Sequence, residues 1–126
     1  MLDTHAWLWF SSDDSLLSAR AKRAIQSSKS CAIAAVSCFE FAVLVEKGRI
    51  QADRDPLEWI EGSLAEHHIE LLPLTPAVAV RATQLGNNFH RDPADRQIVA
   101  TALVHGAKVV TRDEAIQRAG IVETIW

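Results

Sequence analysis

Four acidic residues stand where a parallel β-sheet could bring carboxylates together. Each lies beside a strand-like apolar segment or in the first turn of a predicted helix; they are Asp3, Glu40, Asp95 and Asp113. Acids at helix starts gain about 0.3–1 kcal/mol from the helix dipole, so each one taken alone is explained as a helix cap. Two carboxylates 4 Å apart repel by roughly 4 kcal/mol at an effective dielectric near 20, which exceeds that gain. A cluster of these acids therefore predicts a bound cation.

The ligand chemistry favours a hard divalent ion. Three or four carboxylates completed by water suit Mg²⁺ or Mn²⁺. The five histidines show no HExxH or Cys/His ligand spacing, which argues against zinc. The sequence has no Walker A phosphate-binding loop and no supported Ser-His-Asp arrangement. Because a carboxylate-held Mg²⁺ can acidify a water molecule and neutralise charge on a phosphate, phosphodiester hydrolysis is the reaction most in keeping with these residues.

The elements that must position the acids alternate between strands and helices. Residues 31–36 read as a continuous apolar strand, residues 69–72 as another, and residues 107–111 as a short β-branched strand. Met1-Leu2-Asp3 reads as the end of an earlier strand. This alternation predicts one α/β domain over residues 1–126, with a parallel sheet, helices on both of its faces and right-handed crossovers.

The predicted sheet brings three of the acids to one edge if the first strand lies between segments 31–36 and 107–111. Asp3, Glu40 and Asp113 would then follow neighbouring strands at their carboxyl ends, where ligands bind in such sheets. Asp95 begins a crossover helix, so topology alone does not fix its place. Only two residues precede Asp3, fewer than the ~5 of a usual strand. Either this strand is short or the chain starts upstream of Met1.

Local signals predict where the helices begin and end. Asp92 is a good N-cap, Pro93 suits the first helical position, and Gly106 is the expected stop. Ser37-x-x-Glu40 and Thr111-x-x-Glu114 read as capping boxes, each opening a helix.

Two further helices carry many apolar residues. The helix 38–47 is apolar almost all round, so it is expected to be buried against the core or against another subunit. A helix from Pro56 to about residue 66 is expected to point Leu57, Ile60 and Leu64 inward, with Trp59 beside them.

The composition describes a soluble globular chain. It is 48% hydrophobic and 23% charged, with a net charge of −3 and a pI near 5.9. No apolar run approaches the ~18 residues of a membrane span and nothing resembles a signal peptide, so a cytoplasmic location is expected. The acidic balance argues against a broad DNA binder but permits a nuclease whose acidic site is offset by its cation. Cys31 and Cys38 read as reduced, buried thiols.

Four short motifs, taken in order, give the chain a resemblance to a known family. They are Leu2-Asp3-Thr4-His5, Ser37-x-x-Glu40, Asp92-Pro93-Ala94-Asp95-Arg96-x-Ile98-x-Ala100-Thr101-Ala102 and Val110-Thr111-x-Asp113. In this order they resemble the PIN-domain family, and within it the VapC-type toxin ribonucleases of bacterial toxin–antitoxin pairs. The resemblance covers essentially the whole chain.

The resemblance implies a three-layer α/β/α sandwich and a Mg²⁺- or Mn²⁺-dependent endoribonuclease acting on RNA, often tRNA or rRNA. It makes one acidic quartet of Asp3, Glu40, Asp95 and Asp113, catalytic and metal-binding, with Asp3 and Asp95 as first choices for direct metal contact. Glu40 would bind the metal through water or orient the attacking water. Thr111 would supply a hydroxyl behind the ligands, and Asp92 would be an outer acid or only a cap. A homodimer, a small antitoxin that blocks the site, often with an arginine, and no membrane association are also implied.

Other interpretations stay open at this point. Arg91, Arg96 and Arg112 flank the acids and could bind RNA phosphates or pair with surface charges. A PIN-like module without catalysis would serve as a binding or scaffold protein. A phosphatase of the haloacid-dehalogenase kind also has an Asp after its first strand, but it expects a second Asp where this chain has His5.

Overall fold

The strands form one parallel sheet. The computed structural model describes residues 1–86, 89 and 91–126. Strand β1 is Cys31–Ala34, β2 is Ile69–Leu72, β3 is Val109–Val110 and β4 is Thr124–Ile125. β1 pairs with β2 and β3 pairs with β4, both in parallel. Leu2 bridges Ile33 of β1 and Val110 of β3, so the order across the sheet is β2-β1-Leu2-β3-β4. The prediction that the first strand lies between segments 31–36 and 107–111 is confirmed.

A single residue joins the two halves of the sheet. The backbone N–H of Leu2 donates to Ala32 O at 2.8 Å, and the N–H of Asp3 donates to Val110 O at 3.1 Å. Leu2 itself is only 1% exposed. The last hydrogen bond of this central segment is made by Asp3, the first acid of the quartet.

Seven α-helices are described, and several start where the sequence predicted. Asp92 caps the helix Pro93–His105, Gly106 ends it, and Pro56 is the first residue of the helix Pro56–Glu66. None of the helices in the described ranges is both long and apolar enough to cross a membrane. The helices are α1 (Thr4–Ser12), α2 (Ala19–Ser27), α3 (Ala35–Glu46), α4 (Pro56–Glu66), α5 (Pro76–Thr83), α6 (Pro93–His105) and α7 (Glu114–Ala119), with a 3₁₀ turn at Asp14–Leu16.

Both predicted capping boxes are wrong. Helix α3 begins at Ala35, three residues earlier than predicted, and its N-cap Ala34 makes no side-chain hydrogen bond. Ser37 therefore lies inside the helix. Helix α7 is capped by Asp113, not by Thr111, because the predicted strand at 107–111 pairs only at Val109 and Val110 and an extended segment follows it. β1 ends together with its partner β2, and on the other side the N–H of Thr111 still donates to Ile125 O at 3.1 Å, neither of which local spacing reveals.

Helices cover both faces of the sheet. Successive strand residues point to opposite faces. On one face Ile33 and Val110 pack in a cluster with Trp7 and Phe41. On the other face Ala34 and Val109 pack against Ile98 and Ala102 of α6. This confirms the α/β fold with helices on both sides of a parallel sheet.

One expectation about the apolar helix faces is wrong, and the burial of α3 within this chain is only partial. Leu57 does not point inward, since its side chain is 61% exposed. Phe39 of α3 is 67% exposed, while Phe41 is fully buried and stacks on Trp59 with ring centroids 4.3 Å apart. Cys31 and Cys38 are free thiols, as predicted, but they are half-buried rather than buried. Helices α3 and α4 thus leave apolar side chains on the surface.

The αL glycine at the end of α6 provides a test of the fold. Gly106 has φ 62° and ends the helix, and a side chain in this conformation costs about 1–2 kcal/mol. Gly106→Ala should lower the free energy of unfolding by that amount in urea denaturation. The matched control is Gly62→Ala inside α4, where a Cβ would meet only Arg54 Nη1 at 3.9 Å. It should raise stability by roughly 0.5–1 kcal/mol. Effects of the same sign would contradict the assigned helix end.

Candidate active site

Asp3 is buried where the central strand passes into α1. Its side chain is 6% exposed and its Oδ1 accepts a hydrogen bond from Ala6 N at 2.7 Å, which caps the helix. Burial raises the pKa of the Asp3 carboxyl, while hydrogen bonds from Thr111 and Ala6 oppose the rise and the charge of Asp113 adds to it. The hydrogen bonds hold the carboxylate in one orientation, and the raised pKa shows that its charge is costly there.

Thr111 connects two of the acids. Its side chain is fully buried and hydrogen-bonds to Asp3, and its Oγ1 accepts from Asp113 N at 2.9 Å. Asp113 then caps α7 through Oδ1, which accepts from Ala115 N at 2.7 Å and from Ile116 N at 2.9 Å. Gln117 Nε2 donates to Thr111 O at 2.9 Å and fixes the same segment. Thr111 thus contacts both Asp3 and Asp113, and its predicted role behind metal ligands stays a prediction.

Glu40 is held by the hydroxyl of Thr4, which also hydrogen-bonds to Ser37; the sequence predicted no contact for Thr4 and read Ser37 only as a helix cap. Thr4 Oγ1 lies 2.5 Å from Glu40 Oε2 and 2.9 Å from Ser37 Oγ. Thr4 and Ser37 are both buried, at 3% and 0% exposure. Burial raises the pKa of Glu40, the hydrogen bond with Thr4 lowers it, and the charges of Asp92 and Asp3 raise it. The available signal was a hydroxyl one residue after Asp3 and another three residues before Glu40.

Asp95 lies close enough to four other acids for their charges to act on its carboxyl group. It is half-buried in the first turn of α6, whose cap Asp92 accepts from Ala94 N at 2.9 Å and from Asp95 N at 3.3 Å. Burial, as the largest cause, and the charges of Asp92, Asp113, Glu40 and Asp3 together raise the pKa of Asp95 to about 7. Acids from four separate parts of the chain therefore act on one carboxyl. Asp92 is a cap, as one reading of the sequence had it, and its charge also reaches the site.

The donor set fits a hard divalent ion held partly by water. All four acids of the quartet offer carboxylate oxygens, the ligands that Mg²⁺ and Mn²⁺ prefer. Within the described residues, no three acidic, histidine or cysteine side chains lie close enough to enclose an ion directly. Asp3 and Asp113 each accept backbone N–H hydrogen bonds with one oxygen, which leaves the other oxygen of each for an ion or a water molecule. The arrangement suits an ion with a few carboxylate contacts and several waters, not a closed protein cage.

The three flanking arginines differ in their surroundings. Arg96 Nε donates to Ala82 O at 2.8 Å and Nη1 to Phe89 O at 3.3 Å, and the guanidinium lies 5.9 Å from the Phe89 ring centre. These contacts favour a packing role for Arg96 between α5 and α6. Arg91 and Arg112 are exposed, so their predicted contact with RNA phosphates stays a prediction.

Comparison with known proteins gives a consistent picture. A sequence model of the PIN domain matches residues 1–122. The chain is 42% identical over 128 residues to Ribonuclease VapC22 of Mycobacterium tuberculosis, an alignment that covers 100% of this chain and 97% of that protein.

Solved structures share the fold at low sequence identity. A chain in the crystal structure of VapBC2 from Rickettsia felis bound to a DNA fragment from their promoter matches with a TM-score of 0.69 and 15% identity, covering 98% of this chain and 95% of that one. A chain of a toxin–antitoxin complex from Klebsiella pneumoniae matches with a TM-score of 0.61 and 21% identity, covering 89% and 84%. At these identities the likeness establishes the fold alone.

The raised pKa of Asp95 predicts a stability that depends on pH. The carboxyl titrates near pH 7 when folded but near its ordinary 3.8 when unfolded, so the folded state loses stability as pH rises between these values. Without divalent ions, Asp95→Asn should therefore raise Tm at pH 8 by roughly 3–6 °C, a gain of about 1 kcal/mol after solvent screening of this half-buried group. The gain should shrink by pH 5 and vanish near pH 4.

Thermal melts in EDTA across this pH range would measure the effect. Glu70→Gln removes an exposed acid of β2 and serves as the matched control, with a small change in Tm that does not follow this pH profile. A destabilised Asp95→Asn at pH 8 would contradict the proposed repulsion among the acids.

Proposed function

The chain belongs to the PIN-domain family, among its VapC-type members, and from this premise we propose that it is an endoribonuclease acting as the toxin of a toxin–antitoxin pair. The relative that aligns over the whole chain is a ribonuclease by name. The observation that carries the proposal is the carboxyl of Asp95, whose pKa is raised to about 7 by burial and by four other acids. Such a concentration of negative charge is typical of a cation-dependent phosphodiester site.

The proposed cofactor is Mg²⁺ or Mn²⁺. When bound, such an ion lowers the pKa of a water molecule and offsets charge on the scissile phosphate. Asp3 and Asp95 would hold it directly, with Asp113 next, and Glu40 would bind it through water or orient the attacking water. Because ligating carboxylates must be ionised, ion binding to Asp95 would release a proton near neutral pH.

The chain's own hydrogen bonds would keep the reacting groups in place. Ala6 N and Thr111 fix the carboxylate of Asp3, and Thr4 fixes that of Glu40. A carboxylate fixed before the substrate arrives pays no reorganisation cost during the reaction. The substrate would be RNA, such as tRNA or rRNA, which the protein would meet in the cytoplasm.

The exposed apolar residues of α3 and α4 would form the face for the antitoxin. Phe39 is 67% exposed and Leu57 is 61% exposed. Phe39 lines the same cavity as Glu40, so a partner covering it would also obstruct the acids. A second set of exposed apolar residues, Leu71, Leu74 and Val80, lies on β2, on α5 and between them. This second set would serve the proposed homodimer.

Removal of either central acid should abolish divalent-dependent cleavage. Asp3→Asn keeps an N-cap for α1, and Asp95→Asn is expected to keep the fold, so both test the chemistry rather than folding. Each should lower the rate of RNA cleavage in Mg²⁺ or Mn²⁺ by at least about 100-fold. The assay follows cleavage of purified tRNA and rRNA, with circular dichroism of every variant. Glu70→Gln should cleave like the wild type. Cleavage that survives both Asn substitutions, or that is unaffected by EDTA, would disprove the assignment.

Disruption of the apolar face should weaken inhibition by the antitoxin. Phe39→Ser and Leu57→Ser remove exposed side chains, so both variants should fold, and antitoxin binding should weaken by roughly 1–2 kcal/mol for each when inhibition is referred to each variant's own uninhibited cleavage rate. Titration of the protein encoded beside this gene into the cleavage assay would measure the inhibition constant. Leu16→Ser, at a residue 52% exposed in the 3₁₀ turn, is the control. Equal inhibition of all three variants would place the antitoxin elsewhere.

A further inference from the structure

Two cavities beside the acids share a wall and form one groove. A cavity of about 490 Å³ is lined by Glu40 and Asp92 of the acid site. A second cavity, of about 460 Å³, lies next to it, and His5, Leu44 and Arg49 line both. We call the second one the aromatic cavity. Its volume is in the range of small-ligand sites, and the three shared lining residues place it next to the cavity that contains Glu40 and Asp92.

Aromatic rings supply much of the wall of this cavity. Trp9, Phe41 and Trp59 line it together with His5. The rings of His5 and Trp9 lie 5.8 Å apart, and those of Phe41 and Trp59 are stacked at 4.3 Å. Trp9 and Trp59 are half-buried, so part of each ring remains open. Flat apolar walls of this kind accept another flat ring by stacking, whatever its identity.

The polar groups of the cavity match the rest of a nucleotide. Arg49 is the one Lys or Arg among the residues lining the two cavities, and it stands where they meet. Its side chain is exposed and forms no hydrogen bond or ion pair within the described parts of the chain, although Glu40 and Asp92 line the same cavity. A guanidinium in this place suits a phosphate, and the amide of Gln51 could reach the edge of a base.

We propose that the aromatic cavity binds one unstacked base of a single-stranded RNA segment, adjacent to the scissile phosphate, and that Arg49 binds a neighbouring phosphate. This inference rests on the proposed ribonuclease function and adds a requirement to it. A base in a duplex is stacked and paired, so the substrate must present a single-stranded segment at the cut. Two features favour RNA over an apolar peptide as the occupant. The cavity adjoins the one that contains Glu40, and the positively charged Arg49 lies where the two cavities meet.

The test removes the base and the ring in turn. The probe is a single-stranded RNA that the wild-type protein cuts, carrying one abasic nucleotide at each of three positions on either side of the cut. Binding is measured in Mg²⁺ with the Asp95→Asn protein, which leaves the RNA intact. One abasic position should lose roughly 5- to 100-fold in affinity, the range for one stacked base. The other positions should bind almost like the intact RNA.

The protein variants then connect that position with the cavity. Trp9→Leu should weaken binding of the intact RNA by a similar factor and should remove the effect of the critical abasic site, because base and ring contribute to one contact. Trp9→Phe keeps a ring and should restore most of the affinity. Arg49→Gln should weaken all the RNAs alike and flatten the salt dependence, whereas the exposed Arg81→Gln on α5 should not. Melting curves show whether each variant is folded.

Three outcomes would overturn the inference. Uniform affinity across the abasic series would show that no base is bound in a cavity. Independent, additive effects of Trp9→Leu and the abasic site would place the base elsewhere. Unchanged RNA binding by Trp9→Leu and Arg49→Gln, with weakened inhibition by the antitoxin, would assign the groove to a protein partner. In each case the wild-type protein still cuts RNA, so the proposed function stands, whereas a failure to cut any RNA would refute both.

Discussion

Repulsion among carboxylates is the constraint on which this site depends. Asp95 experiences the charges of four other acids, and burial raises the pKa of Asp3 and Glu40 as well. Left alone, such groups would separate or bind protons. Neutral donors oppose this, since Ala6 N and Thr111 hold Asp3 and Thr4 holds Glu40. These bonds fix where the charges are without cancelling them, which leaves a strong negative potential for a cation.

The sheet that brings the acids together has a very short central strand. Leu2 alone bridges β1 and β3, and Asp3 follows it directly. A single-residue strand needs support from packing, and Ile33, Trp7 and Phe41 supply it in one buried cluster with Leu2. The same cluster orients α1, which carries Thr4 towards Glu40. The residues that pack the core therefore also set the geometry of the site. A change in Trp7 or Phe41 would displace the acids.

Helices α3 and α4 contribute apolar side chains both to the core and to the protein surface. Phe41 and Trp59 stack within the protein and also line the aromatic cavity, while Phe39 and Leu57 remain exposed. A helix that is apolar almost all round cannot bury every side against a single sheet. Part of this excess apolar surface, the side chain of Phe39, lines the same cavity as Glu40 and Asp92.

The sequence by itself determined the helix and strand types and the limits of α6, because caps, glycine stops and apolar runs are local signals, whereas Asp95 joined the proposed quartet only through the family resemblance. Tertiary structure decided what the hydroxyls do. Ser37 and Thr111 carry the spacing of capping boxes, yet Ser37 is buried inside α3 and Thr111 lies behind Asp3. The reason is that β1 pairs with the four residues of β2 and ends with them, so α3 begins three residues early. Where a strand ends depends on its partner, and no local pattern in the strand itself contains that information.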